Sequence, residues 1–323
     1  MKPLLISLLR QLSDGRFHSG EDLARQFGVS RATVWQSLSE AATLGLQVFR
    51  VRGRGYRLDY PLDLLDGWTI SEALGDCSPF RVEVLDSVES TNSLLLERAR
   101  QSEVHGVCVA AELQTRGRGR QGRVWHSGIA GGLTFSVAWQ FKSGVTALSG
   151  LSLAAGLAVA RACEALGVVG VKLKWPNDVI HNGRKLAGIL IEVQGEMLGP
   201  SSAAIGIGLN YRLAPQVLAE IDQAVVDFAA IADPLPSRNK MLAELLRALG
   251  NVLTEFEAGG FAPLVADWEA RHAHQMKQVQ LLLPDRSVIR GVAQGVGADG
   301  SLKILTAGGG MQFNVGEVSL RGT

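Results

Sequence analysis

The chain has 323 residues, 46% hydrophobic and 20% charged, a composition that reads as globular and excludes a disordered chain. Net charge is only +1, yet residues 1–60 hold nine Lys/Arg against five Asp/Glu, and acidic groups predominate in the remainder, so a nucleic-acid footprint is expected only at the N-terminus. Three scattered cysteines, Cys77, Cys108 and Cys163, form no CxxC or Cys/His spacing, which argues against a disulfide framework or metal site and fits a reducing cytoplasm.

Leu4, Leu5, Leu8, Leu9 and Leu12 recur at helical spacing and predict a first amphipathic helix over 3–13. Arg10 interrupts this apolar stretch and no small-residue cleavage site follows, so it does not read as a signal peptide. Ser19 is the expected N-cap of a second helix, and Gly28 ends it. Ser30 then caps a third helix to about Leu44. The spacing is that of a helix-turn-helix, with Ser30, Arg31, Thr33 and Gln36 near the start of the helix that enters a major groove. Trp35 and Leu38 are expected to face the core. Val48, Phe49 and Val51, a Gly53-Arg54-Gly55 turn and Tyr56-Arg57-Leu58 predict a hairpin wing, with Arg52 and Arg54 placed for DNA phosphates. The same segment fits a helical protein-interaction module with a solvated basic hairpin. Asp59-Tyr60-Pro61 reads as a linker, which gives a first domain over 1–62.

A new pattern starts at Phe80. Val82, Val84 and Leu85 predict a short strand, and Ser90, Thr91, Asn92 and Ser93 precede a helix beginning near Leu94. Those polar groups serve as N-cap chemistry or as a cluster that holds a neutral polar ring. A strand over 107–111 leads to Gln114. Next comes Arg116-Gly117-Arg118-Gly119-Arg120-Gln121-Gly122-Arg123 with Val124-Trp125, four arginines and three glycines in eight residues before the tryptophan. Glycine permits close backbone approach, and arginine forks suit phosphate and carboxylate. The run fits a mobile loop that closes over a phosphate-bearing ligand, or a solvated RGG-like segment.

A strand over 133–141 and a helix over 148–166 follow. The apolar run 148–159 contains Gly150 and Gly156 and reads as a buried helix too short for a membrane span, so no membrane partner is expected. In Lys174-Trp175-Pro176-Asn177-Asp178 the proline marks a bend at a strand end, where Asn177 and Asp178 are turn formers or site residues. Lys185 opens the strand through Gly188 to Glu192, as a solvated charge or a site cation. A strand over 203–209 ends at Asn210, and 242–256 reads as a helix with Trp268 in a shorter one. From Gln278 the text turns to five short strands, 279–283, 287–296, 301–305, 311–314 and 318–320, with a turn at Pro284-Asp285. They predict a small SH3-like barrel over 276–323, leaving 63–275 as the central domain.

The arginine loop, Lys174-Trp175-Pro176-Asn177-Asp178 and Lys185-Leu186-Ala187-Gly188-Ile189-Leu190 occur in the order and spacing of the biotin protein ligases. Ser90-Thr91-Asn92 and Gln114 fall where that family has them, and the winged module with a small C-terminal domain resembles its bifunctional ligase–repressor members. The likeness covers essentially the whole chain. It implies an α+β protein: an N-terminal winged helix-turn-helix, a central mixed-sheet domain of class II synthetase-like fold, and a C-terminal SH3-like barrel.

The resemblance implies that biotin and ATP form biotinyl-5′-adenylate, with Mg²⁺ screening the phosphates, and that biotin passes to a lysine of the biotin carboxyl carrier protein of acetyl-CoA carboxylase. Arg118, Arg120 and Arg123 are then expected to offset the repulsion between carboxylate and phosphate and to draw the loop shut, Arg120 being most tied to adenylate retention. Lys185 bridges carboxylate and phosphate. Ser90, Thr91, Asn92 and Gln114 hold the ureido ring; Gly117, Gly119, Trp125 and the Gly188 backbone surround the rest of biotin. Asn177 and Asn210 lie by the nucleotide, and Asp178 orients or deprotonates the incoming lysine, unless it is a turn carboxylate. The bifunctional members imply a repressor of biotin genes that binds operator DNA as a homodimer, with the adenylate as corepressor. Two departures stand out. His126-Ser127-Gly128 replaces a frequent Ser-Pro, which predicts a looser loop. No tryptophan occurs over 221–228, where Val226 or Phe228 is the candidate cover for adenine. A lipoate-type ligase, a transcription factor with an inactive ligase domain, and a ligase whose N-terminal module no longer binds DNA are the rival readings.

Overall fold

The structure is a computed structural model and describes residues 3–283, 286–314 and 319–322. The N-terminal module forms where its leucine spacing and caps predict. Helix α1 (Pro3–Leu12) buries Leu5, Leu8, Leu9 and Leu12. Ser19 accepts the Glu21 and Asp22 amides at the start of α2 (Gly20–Gln26). Ser30 accepts the Thr33 amide at the start of α3 (Arg31–Ser39), and a 3₁₀ turn carries the chain on to Leu44. The wing is the antiparallel pair β1 (Val48–Val51) and β2 (Gly55–Leu58). Trp35 departs from expectation: half of it is exposed (50%). Val34, Leu38 and Ala41 already make the apolar stripe of this helix and fill the core. One residue on from Val34 lies about 100° round a helix, so Trp35 emerges beside exposed Arg31 and Gln36.

The central domain runs α4 (Gly67–Leu74), β3 (Arg81–Val88), α5 (Thr91–Arg98), β4 (Val107–Gln114), β5 (Gly132–Phe141), α6 (Leu151–Ala165), β6 (Val171–Lys174), β7 (Asp178–His181), β8 (Arg184–Gly195), β9 (Ser201–Asn210), α7 (Pro215–Ala219), α8 (Arg238–Gly259) and α9 (Val265–Ala270). Its seven strands are ordered β3-β4-β5-β9-β8-β7-β6; only β3 and β4 pair in parallel. Ser90 caps α5 from Thr91, a turn earlier than the apolar pattern suggests. Side chains alternate across a strand. Ala203, Ile205, Ile207 and Leu209 of β9 therefore join the large core with α6 and α8, while Ala204 packs with Leu95 of α5 on the other face. With its preceding turn, Val145–Ala165 is 21 residues, long and apolar enough by composition to cross a membrane, against the expectation of a run too short. Within the fold it is a core helix, buried along most of α6.

The C-terminal strands β10 (Gln278–Leu282), β11 (Val288–Val296), β12 (Leu302–Thr306), β13 (Gly309–Phe313) and β14 (Ser319–Gly322) form one antiparallel sheet of SH3-like kind, ordered β13-β12-β11-β10-β14. The expected turn at Pro284-Asp285 and a strand start at Val318 lie outside the described residues. This sheet shares the central core through Val279, Leu281, Ala293 and Ile304. Trp175 Nε1 donates to Gly300 O (3.0 Å), and Leu173 forms a parallel bridge with His272. At the other end the linker is packed: Leu62 belongs to the N-terminal core, together with Ile129 and Ala130 of the central domain.

Candidate functional site

Sheet register, more than loop conformation, assembles the cleft. Gly206, Gly208 and Asn210 lie two residues apart on β9 and share the face opposite the large core. Ser136 and Leu190 flank Gly206; Thr134 and Gly188 flank Gly208; Asp178 lies beyond Gly188. The cleft over this face has a volume of about 830 Å³. It is lined by Ser90, Thr91, Asn92, Gln114, Arg118, Gly119, Arg120, Arg123, Trp125, Asn177, Asp178, Lys185, Gly188 and Asn210 among others. Of the residues predicted to hold biotin, only Gly117 is outside the lining. A Cβ on Gly117 would stand 2.6 Å from the Trp125 carbonyl, so this glycine lets the two arms of the arginine loop meet.

Lys185 reaches the cleft through a bulge. Strict alternation from Gly188 would turn Leu186 to the cleft and Lys185 to the opposite face. Instead Val179 pairs with Ala187 and Ile180 with Lys185, skipping Leu186. The extra residue re-aims the side chain, a common use of bulges near functional sites. Leu186 is fully buried, and Lys185 Nζ sits 2.7 Å from Asp178 Oδ1 with both side chains mostly buried. Asn177 lies beside them: its Nδ2 donates to Ile189 O (2.9 Å) and its Oδ1 accepts Arg120 (3.3 Å). Burial pulls the Arg120 guanidinium below its ordinary range, and the Asp178 carboxylate opposes that pull.

At the Gly206 end the groups are small and neutral. Thr91 Oγ1 and Ser136 Oγ are 2.6 Å apart, and the Thr91 amide donates to Gln114 Oε1 (2.8 Å). Ser136 donates to Asn92 Oδ1 (2.6 Å). Glycine is required on this floor. A Cβ at Gly206 would stand 2.5 Å from Asn92 Oδ1, and one at Gly208 would stand 2.3 Å from the Trp125 ring. Trp125 therefore rests against Gly208 and Gly188, between the neutral end and the Lys185 end, with Lys185 Nζ 5.6 Å from its ring centroid.

The arginine loop is a small hairpin: Arg118 bridges Val124, Gly119 N donates to Arg123 O (2.7 Å), and Gln121 and Gly122 take positive φ at its tip. The His126-Ser127-Gly128 departure lies where the hairpin runs into packed residues. Ser127 is buried, Ile129 and Ala130 sit in the N-terminal core, and His126 Nδ1 lies 2.9 Å from Glu220 Oε2. The adenine-cover expectation is corrected. Val226 and Phe228 are buried in the large core, because Val226 N bonds to Lys185 O and draws the segment into a strand-like bridge. Alternation then turns Val225 to the cleft, where it joins Ile221 and Gln223. Asn210 commits Nδ2 to the carbonyls of Lys185 (3.2 Å) and Val226 (3.1 Å), which leaves its Oδ1 as the unspent group.

In the N-terminal module Arg31, Gln36, Arg52 and Arg54 are exposed, and Arg54 stacks over Phe17 at 4.1 Å. Ser30 and Thr33 hydroxyls pair with each other at 2.9 Å, so part of their polarity serves the cap.

Comparison with known proteins agrees with this layout. Residues 84–210 match the biotin/lipoate A/B protein ligase family, 5–57 an HTH domain, and 277–321 the biotin protein ligase C terminal domain. The chain is 34% identical to the bifunctional ligase/repressor BirA of Escherichia coli (strain K12), over 98% of its own length and 97% of that protein. It is 34% identical to the biotin–[acetyl-CoA-carboxylase] ligase of Mycobacterium tuberculosis, over 81% of its length and 97% of that protein. Among solved structures, the biotin protein ligase from Aquifex aeolicus in complex with biotin and ATP aligns with a TM-score of 0.63 at 31% identity, covering 75% of this chain and 99% of that one.

Proposed function

This chain belongs to the family of bifunctional biotin ligase/repressors, and we propose that its central cleft joins biotin to ATP and passes the biotinyl group to a carrier lysine, while its N-terminal module binds operator DNA. The carrying observation is the polarity of the cleft: a neutral hydroxyl–amide end, an apolar tryptophan on a glycine floor, then Lys185, Asp178, Asn177 and Arg120. That order matches a ureido ring, an aliphatic body and a carboxylate meeting a phosphate.

In the first step the biotin carboxylate oxygen attacks the α-phosphorus of ATP, and the α–β bridging bond breaks to release pyrophosphate. Two anions must approach. Lys185, Arg120 and Arg123 offset the repulsion, and Lys185 stabilises charge on both groups. Arg118 contributes there only on exchanging its Glu192 partner for ligand. In the second step the carrier lysine amine attacks the acyl carbon and AMP leaves, with Asp178, paired with Lys185, as the acceptor of the amine proton. Closure of the arginine hairpin excludes water from the mixed anhydride. Among the described residues no group of three or more His, Cys, Asp or Glu can hold a metal ion, so Mg²⁺ fits as an ion held chiefly by ATP's own phosphates, whose charge it screens. The partner is the biotin carboxyl carrier protein of acetyl-CoA carboxylase, and the setting is cytoplasmic.

The test is direct. The protein is incubated with biotin, MgATP and a biotin carrier domain, and the carrier is weighed by mass spectrometry. A biotinyl mass gain supports the reading. No gain at saturating substrate, with lipoate transferred in its place, overturns it in favour of the lipoate-type alternative.

The repressor half pairs two N-terminal modules on a palindromic operator when the adenylate favours a homodimer. The exposed face of α3, with Arg31, Trp35 and Gln36, enters the major groove, and Arg52 and Arg54 of the wing meet phosphates. Trp35 supplies apolar contact of the kind that reads a thymine methyl. Trp35→Ala is expected to weaken operator binding about 10-fold, the scale of one lost base contact, with no change in ligase rate or in salt slope. Fluorescence anisotropy over a salt series measures both. Unchanged operator affinity removes Trp35 from the interface; absence of any operator binding, with or without biotin and ATP, removes the repressor half.

A further inference from the structure

We infer that Glu192 sets the hydrogen-bond polarity of the biotin end of the cleft, and so acts as a positioning residue for substrate recognition without touching substrate. This rests on the ligase reading above.

Glu192 lies on β8 on the cleft face, two residues beyond Leu190, but is outside the cleft lining. Its carboxylate receives one guanidinium nitrogen from one side and an amide from the other. Arg118 Nη2 is 3.0 Å from Oε1 and 2.9 Å from Oε2, and also donates to Ser93 Oγ (2.9 Å). Asn92 Nδ2 donates to Oε2 (2.9 Å) and to Leu190 O (3.1 Å).

An ionised carboxylate only accepts, so it fixes which end of the Asn92 amide faces it. With both Nδ2 hydrogens spent, Oδ1 must point to Ser136, which donates to it at 2.6 Å. The Ser136 hydroxyl has one hydrogen and that donation uses it, so toward Thr91 it can only accept (2.6 Å). The Thr91 hydroxyl thus spends its one hydrogen on Ser136, and Gln114 Oε1 is held by the Thr91 backbone amide alone (2.8 Å). The Gln114 carbonyl is thereby occupied and its Nε2 is left as the donor. The chain from Glu192 ends at the Thr91 hydroxyl and runs through buried Asn92 and Ser136, where a reversed amide would leave unpaired groups with no water to satisfy them. Ser136 and Thr91 therefore meet a ligand only through lone pairs, which suits ureido N–H groups, beside the Gln114 donor that suits the ureido carbonyl.

The experiment uses full-length protein and measures biotin binding by calorimetry, with ATP binding and thermal midpoint as controls. Glu192→Gln keeps the size but offers Asn92 a donor as well as an acceptor, leaving Leu190 O as the one obligate acceptor on its amide. Biotin affinity is expected to fall roughly 10-fold, the scale of a charge-assisted hydrogen bond, with ATP affinity unchanged. Ser136→Ala cuts the chain between Asn92 and Thr91. In that background Glu192→Gln is expected to add less than 2-fold, since residues in one network are not additive. A merely structural role predicts the reverse, with a lowered melting midpoint and independent, multiplying losses. Full biotin affinity in Glu192→Gln, or multiplicative losses in the double variant, overturns the inference. Wild-type protein that binds no biotin sinks the ligase reading itself, and with it this role for Glu192.

Discussion

Replacing Lys185 with alanine is expected to slow biotinyl-adenylate formation about 100- to 1000-fold, the usual loss for one preorganised donor aimed at developing charge. The magnitude follows from burial. Lys185 is held 2.7 Å from Asp178 with side-chain exposures of 15% and 18%, so its charge acts with little competing water. Its position is fixed from both sides: Lys185 N donates to Ala224 O, and Lys185 O accepts Val226 N and Asn210 Nδ2. Stopped-flow pyrophosphate release measures the step. Arg120→Gly should behave differently. It removes a hairpin side chain bonded to Asn177, so the adenylate forms but escapes, and unlinked carrier or bulk amine becomes biotinylated. A Lys185→Ala rate within 10-fold of wild type would place the charge stabilisation elsewhere, and tight adenylate retention in Arg120→Gly would end the lid role of that arginine.

The difference between those two variants was partly readable from residue order. The arginine run, Lys174 to Asp178 and Lys185 to Leu190 are contiguous motifs, and helix caps at Ser19, Ser30 and Ser90 mark element starts because a cap is a local interaction. The bulge that skips Leu186 is not local. It depends on the partner strand β7, and the alternation of β8 read alone sends Lys185 to the opposite face. The same applies to Glu192, an unremarkable strand-end carboxylate until α5 and the arginine hairpin bring Asn92 and Arg118 to it. Trp35 misled for a different reason. Hydrophobicity suggested core, but the stripe was already filled by Val34 and Leu38. At 221–228, aromatic character pointed to Phe228, whereas the bridge to Lys185 decides which residues face the cleft.

The linker yields the largest expected loss of stability. Arg238, at the start of α8, is fully buried and so is its partner Glu112, at 2.8 Å. Arg238 also donates to Gly132 O (2.7 Å) and Asp63 O (2.8 Å), and Glu112 Oε1 accepts the Leu65 amide. Asn239 continues the clasp, donating to Leu64 O (3.1 Å) and accepting the Asp66 amide (2.8 Å). Burial, then the Asp63 carboxylate, push the neighbouring Tyr211 phenol up to about 12, so it stays a neutral donor to Asp63. Residues 63–66 are thus fastened to the central domain by one fully buried ion pair and by half-buried to exposed polar groups around it. Arg238→Met strands the Glu112 carboxylate and is expected to cost about 3–5 kcal/mol. The melting midpoint should fall on the order of 10 °C for a chain of this size. Adding Glu112→Leu removes the orphaned charge and should restore much of the loss, because apolar replacement of both partners of a buried pair is often near neutral. Differential scanning calorimetry decides between the cases; an Arg238→Met midpoint within about 2 °C of wild type would mean that the pair is relaxed or hydrated in solution. Function separates the clasp from the core. Because the linker sets how the N-terminal module stands on the central domain, the double variant should regain ligase turnover yet bind operator more weakly, its two modules no longer held in the register that a palindrome demands.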